Sequence, residues 1–287
     1  MTEAVPRPAL WRVLLALVSV AALLMGWVIG LIILFAWVTN SSLEVAFTQA
    51  LAPTASTPLQ VLFILAAVGG LFPTTWLAAR LWSKRSLGSL IGPGARSLRH
   101  FAIAAGVALA TLTLATLLTW PIFETPNPGT PLATWLSWLP FALIVLAFQT
   151  GGEELLFRGY LQSQIARRFR SDKLAILLPS ILFGFMHYNP ELPLLSALGY
   201  VVITAVFGIL AADLTMRTGS IGAAWGLHFI NNFFGILVVT PDGTLSGLAL
   251  WSTGGDRSVE ALASPLAAIE IFMLVLLWFL IRKALRV

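Results

Sequence analysis

Long runs of apolar residues, separated by short polar segments, account for most of the chain. A helix that crosses a bilayer needs about 20 predominantly apolar residues. The pattern therefore predicts an all-α fold, a polytopic membrane bundle of about eight transmembrane helices. These would form a single integral membrane domain over residues 1–287. The predicted spans are 11–38, 59–81, 101–120, 135–161, 174–187, 194–214, 221–239 and 265–281.

The composition supports a membrane protein and excludes several kinds of chemistry. The chain is 58% hydrophobic and 10% charged, whereas soluble domains carry roughly 25% charged residues. Its net charge of +5 comes from basic residues between apolar spans, so we expect the lipid bilayer, and no nucleic acid, as their partner. Because there is no cysteine, disulfides, thiolate nucleophiles and cysteine-bound metals are excluded. The first apolar run exceeds a signal-peptide core of roughly 7–15 residues, which predicts a retained helix.

The charges in the polar segments alternate along the chain. Basic segments contain Arg7, Arg12, Lys84, Arg85, Arg96, Arg99, Arg167, Arg168, Arg170, Lys173, Arg217, Arg282, Lys283 and Arg286. The intervening segments, which are acidic or nearly neutral, contain Glu44, Glu124, Glu191, Asp242, Asp256, Arg257 and Glu260. Since cytoplasmic loops carry an excess of Lys and Arg, this pattern predicts a multi-pass protein of the cell membrane with both termini in the cytoplasm. The short basic tail without long soluble domains suggests a prokaryotic source.

Three charged residues interrupt the fourth span, which is otherwise uncharged between residues 132 and 152. They are Glu153, Glu154 and Arg158. Ionisable groups at membrane depth cost several kcal/mol each, so they mark a functional site by default. On an α-helix Glu154 and Arg158 lie on one face and can pair. Glu153 is rotated by about 100° and has no obvious local partner, which makes it a candidate general base.

Two of the three histidines lie within apolar segments. His100 lies at a span end, where a solvated or headgroup-facing role is expected. His187 and His228 are inside spans, and Asn232 shares a helix face with His228. Counted from the basic residues that end their spans, Glu153, His187 and His228 lie about 21, 21 and 17 Å into the membrane. We therefore expect all three to meet near the middle of the bilayer.

Several polar residues have a plain structural interpretation as well. A lone histidine in a membrane is as often a hydrogen-bond partner between helices as a catalyst. The Glu154–Arg158 pair is expected to be structural, and Asp213 is expected to pair with Arg217 four residues later. The residues that the sequence leaves as either packing or cavity-lining groups are Gln149, Thr150 and Tyr200.

The charged and histidine motifs together resemble those of the CPBP intramembrane proteases, which include the type II CAAX prenyl endopeptidases and the bacterial Abi proteins. The three motifs of that family are Glu-Glu-x-x-x-Arg, Phe-x-x-x-His and His-x-x-x-Asn. Here they stand as Glu153-Glu154-x-x-x-Arg158, Phe183-x-x-x-His187 and His228-x-x-x-Asn232. The resemblance covers residues 130–239, which would be the catalytic core.

The resemblance implies an endopeptidase that hydrolyses a peptide bond of a membrane-associated protein or peptide, with a prenylated CAAX-type substrate as one candidate. It implies a catalytic set of Glu153, Glu154, Arg158, His187, His228 and Asn232. Glu153, assisted by His187, would activate a water molecule. His228 and Asn232 would stabilise the oxyanion. No cofactor is favoured.

Two alternatives stay open at this stage. In a zinc-dependent version of the same protease, Glu153, His187 and His228 would form a three-point open site. The glutamate mechanism is favoured over it because no His-Glu-x-x-His motif is present. A proton- or ion-coupled transporter would also use buried Glu, His and Arg, although the sequence shows no inverted repeat. A catalytically silent scaffold is disfavoured by the complete motif set.

Overall fold

The computed structural model describes residues 8–50, 54–119, 126–241, 245–253 and 265–287. These residues form twelve α-helices. The helices are α1 (Leu10–Thr39), α2 (Leu43–Ala50), α3 (Pro58–Gly69), α4 (Leu71–Ser83), α5 (Leu87–Ile91), α6 (Gly94–Thr119), α7 (Leu132–Glu154), α8 (Ser163–Phe169), α9 (Asp172–Phe185), α10 (Leu194–Thr218), α11 (Gly222–Asn232) and α12 (Pro265–Leu285). One π-helical segment, Leu155–Gln162, joins α7 to α8, and a second, Phe233–Val238, follows α11.

A small sheet closes one end of the bundle, and the apolar pattern did not predict it. Its strands are β1 (Asn127–Pro128), β2 (Val239–Pro241) and β3 (Trp251–Thr253), in the order β1-β3-β2. β3 pairs antiparallel with β1 and parallel with β2. The sheet ties the segment before α7 to the segment after α11.

The predicted all-helical membrane fold is confirmed, but the count of about eight spans is not. Each predicted span overlaps helical structure, and five helical stretches in the described residues are long and apolar enough to cross a membrane. These five are Leu10–Thr39, Pro58–Ser83, Gly94–Leu118, Leu132–Phe169 and Leu194–Thr218. The stretch Gly222–Val238 is apolar but shorter, and α9 has only 14 residues. The protein is therefore membrane-embedded.

The predicted orientation of the termini and the prokaryotic source stay predictions. Some of the residues on which these predictions depend lie outside the described ranges. They are Trp120, at the end of the third predicted span, and the loop residues Arg7, Glu124, Asp242, Asp256, Arg257 and Glu260. The second predicted span lies within the single stretch Pro58–Ser83. Gly70, which has right-handed helical φ and ψ, separates α3 from α4 in it.

Small residues let α11 lie directly against α6. A Cβ on Gly222 or Gly226 would overlap the backbone carbonyls of Ser97 and Phe101 on α6. Glycines spaced four apart allow membrane helices to approach closely without a driving force from water. Because His228 follows Gly226 by two residues, this packing fixes the depth of His228 in the bundle.

Candidate active site

Two adjacent glycines place the glutamate pair between α4 and α11. A Cβ on Gly152 would lie 2.7 Å from the backbone nitrogen of Phe72, and one on Gly151 would lie 2.7 Å from the ring of Trp225. Real side chains do not approach backbone atoms this closely, so α7 can pack here only with glycine at both positions. The two carboxylates that follow are consequently held inside the bundle, with Glu153 8% and Glu154 0% exposed.

The helix changes from α to π immediately after Glu154, and the whole π-helical segment Leu155–Gln162 is buried. Such segments are frequent at functional sites. The predicted ion pair forms within it, since Arg158 Nη1 donates to Glu154 Oε1 at 3.0 Å with both side chains at most 1% exposed. The Arg158 guanidinium also lies 4.6 Å from the centre of the Phe183 ring, a cation–π arrangement. Glu154 therefore has a buried cation as a partner.

His228 joins the two glutamates. Its Nδ1 lies 2.8 Å from Glu154 Oε1, and its Nε2 lies 3.4 Å from Glu153 Oε2. Because an ionised carboxylate only accepts hydrogen bonds, Nδ1 carries the hydrogen in the contact with Glu154. The rings of Phe183 and Phe207 meet the imidazole edge-on, with centroids 6.0 and 4.9 Å away. The imidazole is thus fixed on both its polar and its apolar edges.

Gln149, which the sequence left as either a packing or a cavity-lining group, belongs to this site. Gln149 Nε2 donates to Glu153 Oε1 at 2.9 Å, and Gln149 Oε1 accepts from Asn232 Nδ2 at 3.1 Å. The expectation that Glu153 has no local partner was therefore wrong, since its partner lies four residues earlier on the same helix. That spacing, with a polar amide in an uncharged span, was the available signal. By contrast, the Thr150 hydroxyl bonds to Leu146 O of its own helix.

Asn232 belongs to the same cluster but does not touch His228 through a hydrogen bond. Its amide donates to Gln149 and accepts from Asn231 Nδ2 at 3.4 Å. The shared helix face predicted for His228 and Asn232 is present, since both lie on α11. The Asn232 amide instead forms a hydrogen bond with Gln149 on α7.

His187 lies just beyond the end of α9 and faces a cavity that it shares with Glu153. Its Nδ1 donates to Phe183 O at 2.8 Å, which leaves Nε2 as its other polar atom. The cavity has a volume of about 360 Å³, and its remaining lining residues, from α1, α3, α4, α9 and the π-helical segment, are all apolar. Within the described ranges, Glu153 Oε2 is buried without a hydrogen-bond partner. The structure thus brings Glu153 and His228 into contact and places His187 beside the same cavity.

The donor groups of the described residues are not arranged as a metal site. No group of three or more His, Cys, Asp or Glu side chains in the described part of the chain is arranged to hold a metal ion. The zinc set suggested by the sequence, Glu153, His187 and His228, does not fit as a ligand set, and we derive no step through a metal. That the enzyme needs no cofactor stays a prediction.

Comparison with known proteins identifies the family. A model of the family described as type II CAAX prenyl endopeptidase Rce1-like matches residues 134–234, a range that includes the glutamate pair, both intramembrane histidines and Asn232. The chain is 30% identical over 248 residues to the uncharacterized protein YyaK of Bacillus subtilis (strain 168), covering 83% of this chain and 81% of that protein. No solved structure matches.

These findings support an intramembrane endopeptidase of the CAAX type and do not favour the transporter alternative. The match includes all three motifs and the helices α7, α9, α10 and α11 that carry or flank them. The likeness to a relative of similar length extends over most of the chain, beyond the matched core. The chain belongs to the Rce1-like family of type II CAAX prenyl endopeptidases, the CPBP intramembrane proteases.

Proposed function

We propose that Glu153 is the general base of this endopeptidase and that it activates the water that attacks the scissile peptide bond. The observation that carries the proposal is Oε2 of Glu153, a buried carboxylate oxygen that forms no hydrogen bond in the described residues and has only the longer contact of 3.4 Å with His228 Nε2. Its other oxygen is held by Gln149, so the carboxylate is oriented. A general base must lie within hydrogen-bond reach of the proton that it removes, and a water in the cavity beside Glu153 would satisfy this.

The reaction has two stages, attack of water on the carbonyl carbon and loss of the amine. The water oxygen bonds to the carbonyl carbon while its proton passes to Glu153. The carbonyl oxygen becomes an oxyanion. When the carbon–nitrogen bond breaks, the proton held by Glu153 passes to the leaving amine, so that the carboxylate is regenerated. His187, whose Nδ1 is held by Phe183 O, offers its Nε2 to the water or the leaving group.

His228 and Asn232 are the oxyanion donors in this proposal. Glu154, which is itself paired with Arg158, orients His228 by accepting from Nδ1. This leaves Nε2, at 3.4 Å from Glu153 Oε2, to face a substrate oxygen placed beside the carboxylate. In this proposal His228 is the imidazolium ion, because only then do both ring nitrogens carry hydrogen and Nε2 donate to that oxygen. Asn232 is held next to Glu153 through Gln149. Donors fixed in advance in a site without bulk water stabilise developing negative charge strongly.

The substrate class that we propose is a membrane-associated protein or peptide of the CAAX type, with its prenyl group in the membrane. The apolar lining of the cavity beside Glu153 supports this choice, because an apolar chain buried against these side chains is removed from water without burying a polar group.

The test is cleavage of a farnesylated peptide with a CAAX terminus by the purified protein in lipid nanodiscs, compared with Glu153→Gln. We expect the variant to lose at least about 10²-fold in turnover, the low end for a general base. Glu191→Gln, an exposed glutamate in the turn after α9, is the matched control and should retain activity. Undiminished turnover in Glu153→Gln would contradict the role of Glu153. Solute movement in proteoliposomes without peptide cleavage would instead support a transporter.

A further inference from the structure

A second cavity, unrelated to the protease site, lies between the beginning of α6 and the end of α12. Its volume is about 350 Å³, and it is lined by Arg99, His100, Ile103, Ala284, Leu285 and Arg286. From these residues we infer that it binds the phosphate group of an anionic phospholipid. The inference goes beyond the proposed function and does not depend on it.

The charge of the cavity is entirely basic. None of its six lining residues is acidic, and Arg96, Arg282 and Lys283 follow or precede the lining residues within four positions. Three of these basic residues, Arg282, Lys283 and Arg286, lie at or just after the end of α12, and two, Arg96 and Arg99, lie in the first two turns of α6. Like charges repel one another, so an anion bound between the two helix ends would stabilise their packing.

The guanidinium groups of the two lining arginines are unpaired within the described ranges. Neither Arg99 nor Arg286 forms a side-chain hydrogen bond or ion pair there, and both side chains are exposed. Other arginines of the bundle are engaged: Arg217 Nε lies 2.8 Å from Asp213 Oδ2. Guanidinium groups bind phosphate oxygens through two parallel hydrogen bonds, so an unpaired pair of them beside one cavity matches a phosphate.

His100 supplies a third, neutral contact. Its Nδ1 is hydrogen-bonded to Ser220 Oγ at 2.9 Å in the connection between α10 and α11. The imidazole is therefore fixed in orientation, and its Nε2 is the remaining polar atom for a ligand in the cavity.

The position of the cavity favours a lipid over free phosphate. It lies at one end of α6, which is long and apolar enough to cross a membrane, and of α12. Large apolar side chains further along both helices are exposed, among them Leu109 on α6 and Phe279 on α12. Acyl chains can cover these side chains while the headgroup reaches the cavity. Basic pockets between membrane helices are known to bind anionic headgroups in this way.

The experiment compares lipid retention by native mass spectrometry for the full-length protein and the double variant Arg99→Gln/Arg286→Gln. Phosphatidylglycerol and phosphatidylcholine with identical acyl chains are the probes. Each basic residue near the surface changes binding of an anionic lipid about fivefold, so the double variant should retain phosphatidylglycerol about 25-fold less strongly. The control Arg168→Gln/Arg170→Gln removes the same charge at the end of α8, away from the cavity, and should stay within about twofold of the unmodified protein.

A lysine double variant and a competition with inorganic phosphate complete the experiment. Arg99→Lys/Arg286→Lys keeps the charge but loses the two-pronged geometry, so its lipid retention should fall between that of the unmodified protein and that of the glutamine double variant. An unchanged melting temperature of each variant would show intact folding. Any of three results would overturn the inference. These are equal retention of the two lipids, an equal loss of retention in the control variant, and normal retention of phosphatidylglycerol by the double variant. So would displacement of the lipid by millimolar inorganic phosphate, which would indicate a site for the free anion.

Discussion

Glu154 Oε1 accepts hydrogen bonds from two cationic or polar groups at once, His228 Nδ1 at 2.8 Å and Arg158 Nη1 at 3.0 Å. The pair of Glu154 and His228 couples the glutamate motif on α7 to the histidine motif on α11. Glu153, its neighbour, has a different environment, because its contacts are with Gln149 and with His228 at the longer distance of 3.4 Å. The two adjacent carboxylates are thus built for different tasks.

We predict that changes to the two glutamates separate stability from turnover. Glu154→Gln leaves Arg158 as a buried charge without its counter-ion, which should destabilise the fold by about 3–5 kcal/mol. Glu153→Gln removes no ion pair with arginine and should keep the melting temperature while turnover falls at least about 10²-fold. Thermal unfolding in detergent, together with peptide cleavage per folded molecule, measures both. A larger loss of turnover per folded molecule in Glu154→Gln would reverse the assignment of the base.

Gln149 is predicted to position Glu153 and Asn232. Gln149→Ala removes both of its hydrogen bonds. We expect turnover to fall roughly tenfold with KM little changed, because the buried Glu153 Oε1 and the half-buried Asn232 amide lose the partner that positions them. Thr150→Val, which removes a neighbouring hydroxyl bonded only within its own helix, is the control and should stay close to the unmodified protein.

A pH profile distinguishes positioning by Gln149 from a general packing role. Gln149→Glu keeps an acceptor for Asn232 but can donate to Glu153 only when the introduced carboxyl group is protonated. Its activity relative to the unmodified protein should therefore rise as the pH falls. A ratio of activities that is constant with pH would indicate that Gln149 acts through packing alone.

Gly152→Ala should damage the site without touching its chemistry. The new Cβ would lie 2.7 Å from the backbone nitrogen of Phe72, which cannot rotate away. Overpacking of this kind costs roughly 1–3 kcal/mol and would shift the glutamates away from α11, so both the melting temperature and turnover should fall. Gly106→Ala on α6, where nothing lies within 4 Å, is the matched control. It should be neutral or stabilising, since alanine favours helix by about 1 kcal/mol over glycine.

The sequence predicted best those features that depend on residues close together along the chain. Apolar runs predicted the membrane helices, and the four-residue spacing predicted both Glu154–Arg158 and Asp213–Arg217, which are ion pairs in the structure. The same spacing also relates Gln149 to Glu153. That contact was missed because an amide carries no charge and its preference for a partner is weaker than that of an ion.

Contacts between segments that are far apart along the chain could not be predicted from the sequence. The contacts of His228 with both glutamates depend on how α11 packs on α7 and α6. Glycines allow this packing, but their spacing in the sequence does not indicate which helix lies against which. The π-helical turn after Glu154 and the break at Gly70 also depend on tertiary packing, since both are small departures from a regular helix. His187 was placed within a span, whereas α9 ends at Phe185, because the hydrophobic pattern continues past the last helical turn.

The last prediction concerns metal dependence, and the Asn232→Ala variant distinguishes the glutamate mechanism from a zinc mechanism. If Glu153 works on water directly, turnover should survive exhaustive chelation, and Asn232→Ala should lower turnover about 10²–10³-fold as a lost oxyanion donor. If His228 instead binds zinc, Asn232 would have to orient that histidine, and its loss would weaken metal binding roughly 10–100-fold. In the structure the amide of Asn232 donates to Gln149, which supports the first outcome.

The measurement combines elemental analysis, chelation and kinetics on the same preparations. We expect Asn232→Ala to keep the metal content of the unmodified protein and to lower the melting temperature by no more than the loss of its one hydrogen bond to Gln149 implies. Added zinc should restore nothing. Asn231→Ala, which removes a neighbouring amide with a longer contact of 3.4 Å to Asn232, is the control and should lose far less turnover. Stoichiometric zinc, with turnover that is lost on chelation and restored by zinc, would defeat the glutamate mechanism, because the attacking water would then be activated by the ion.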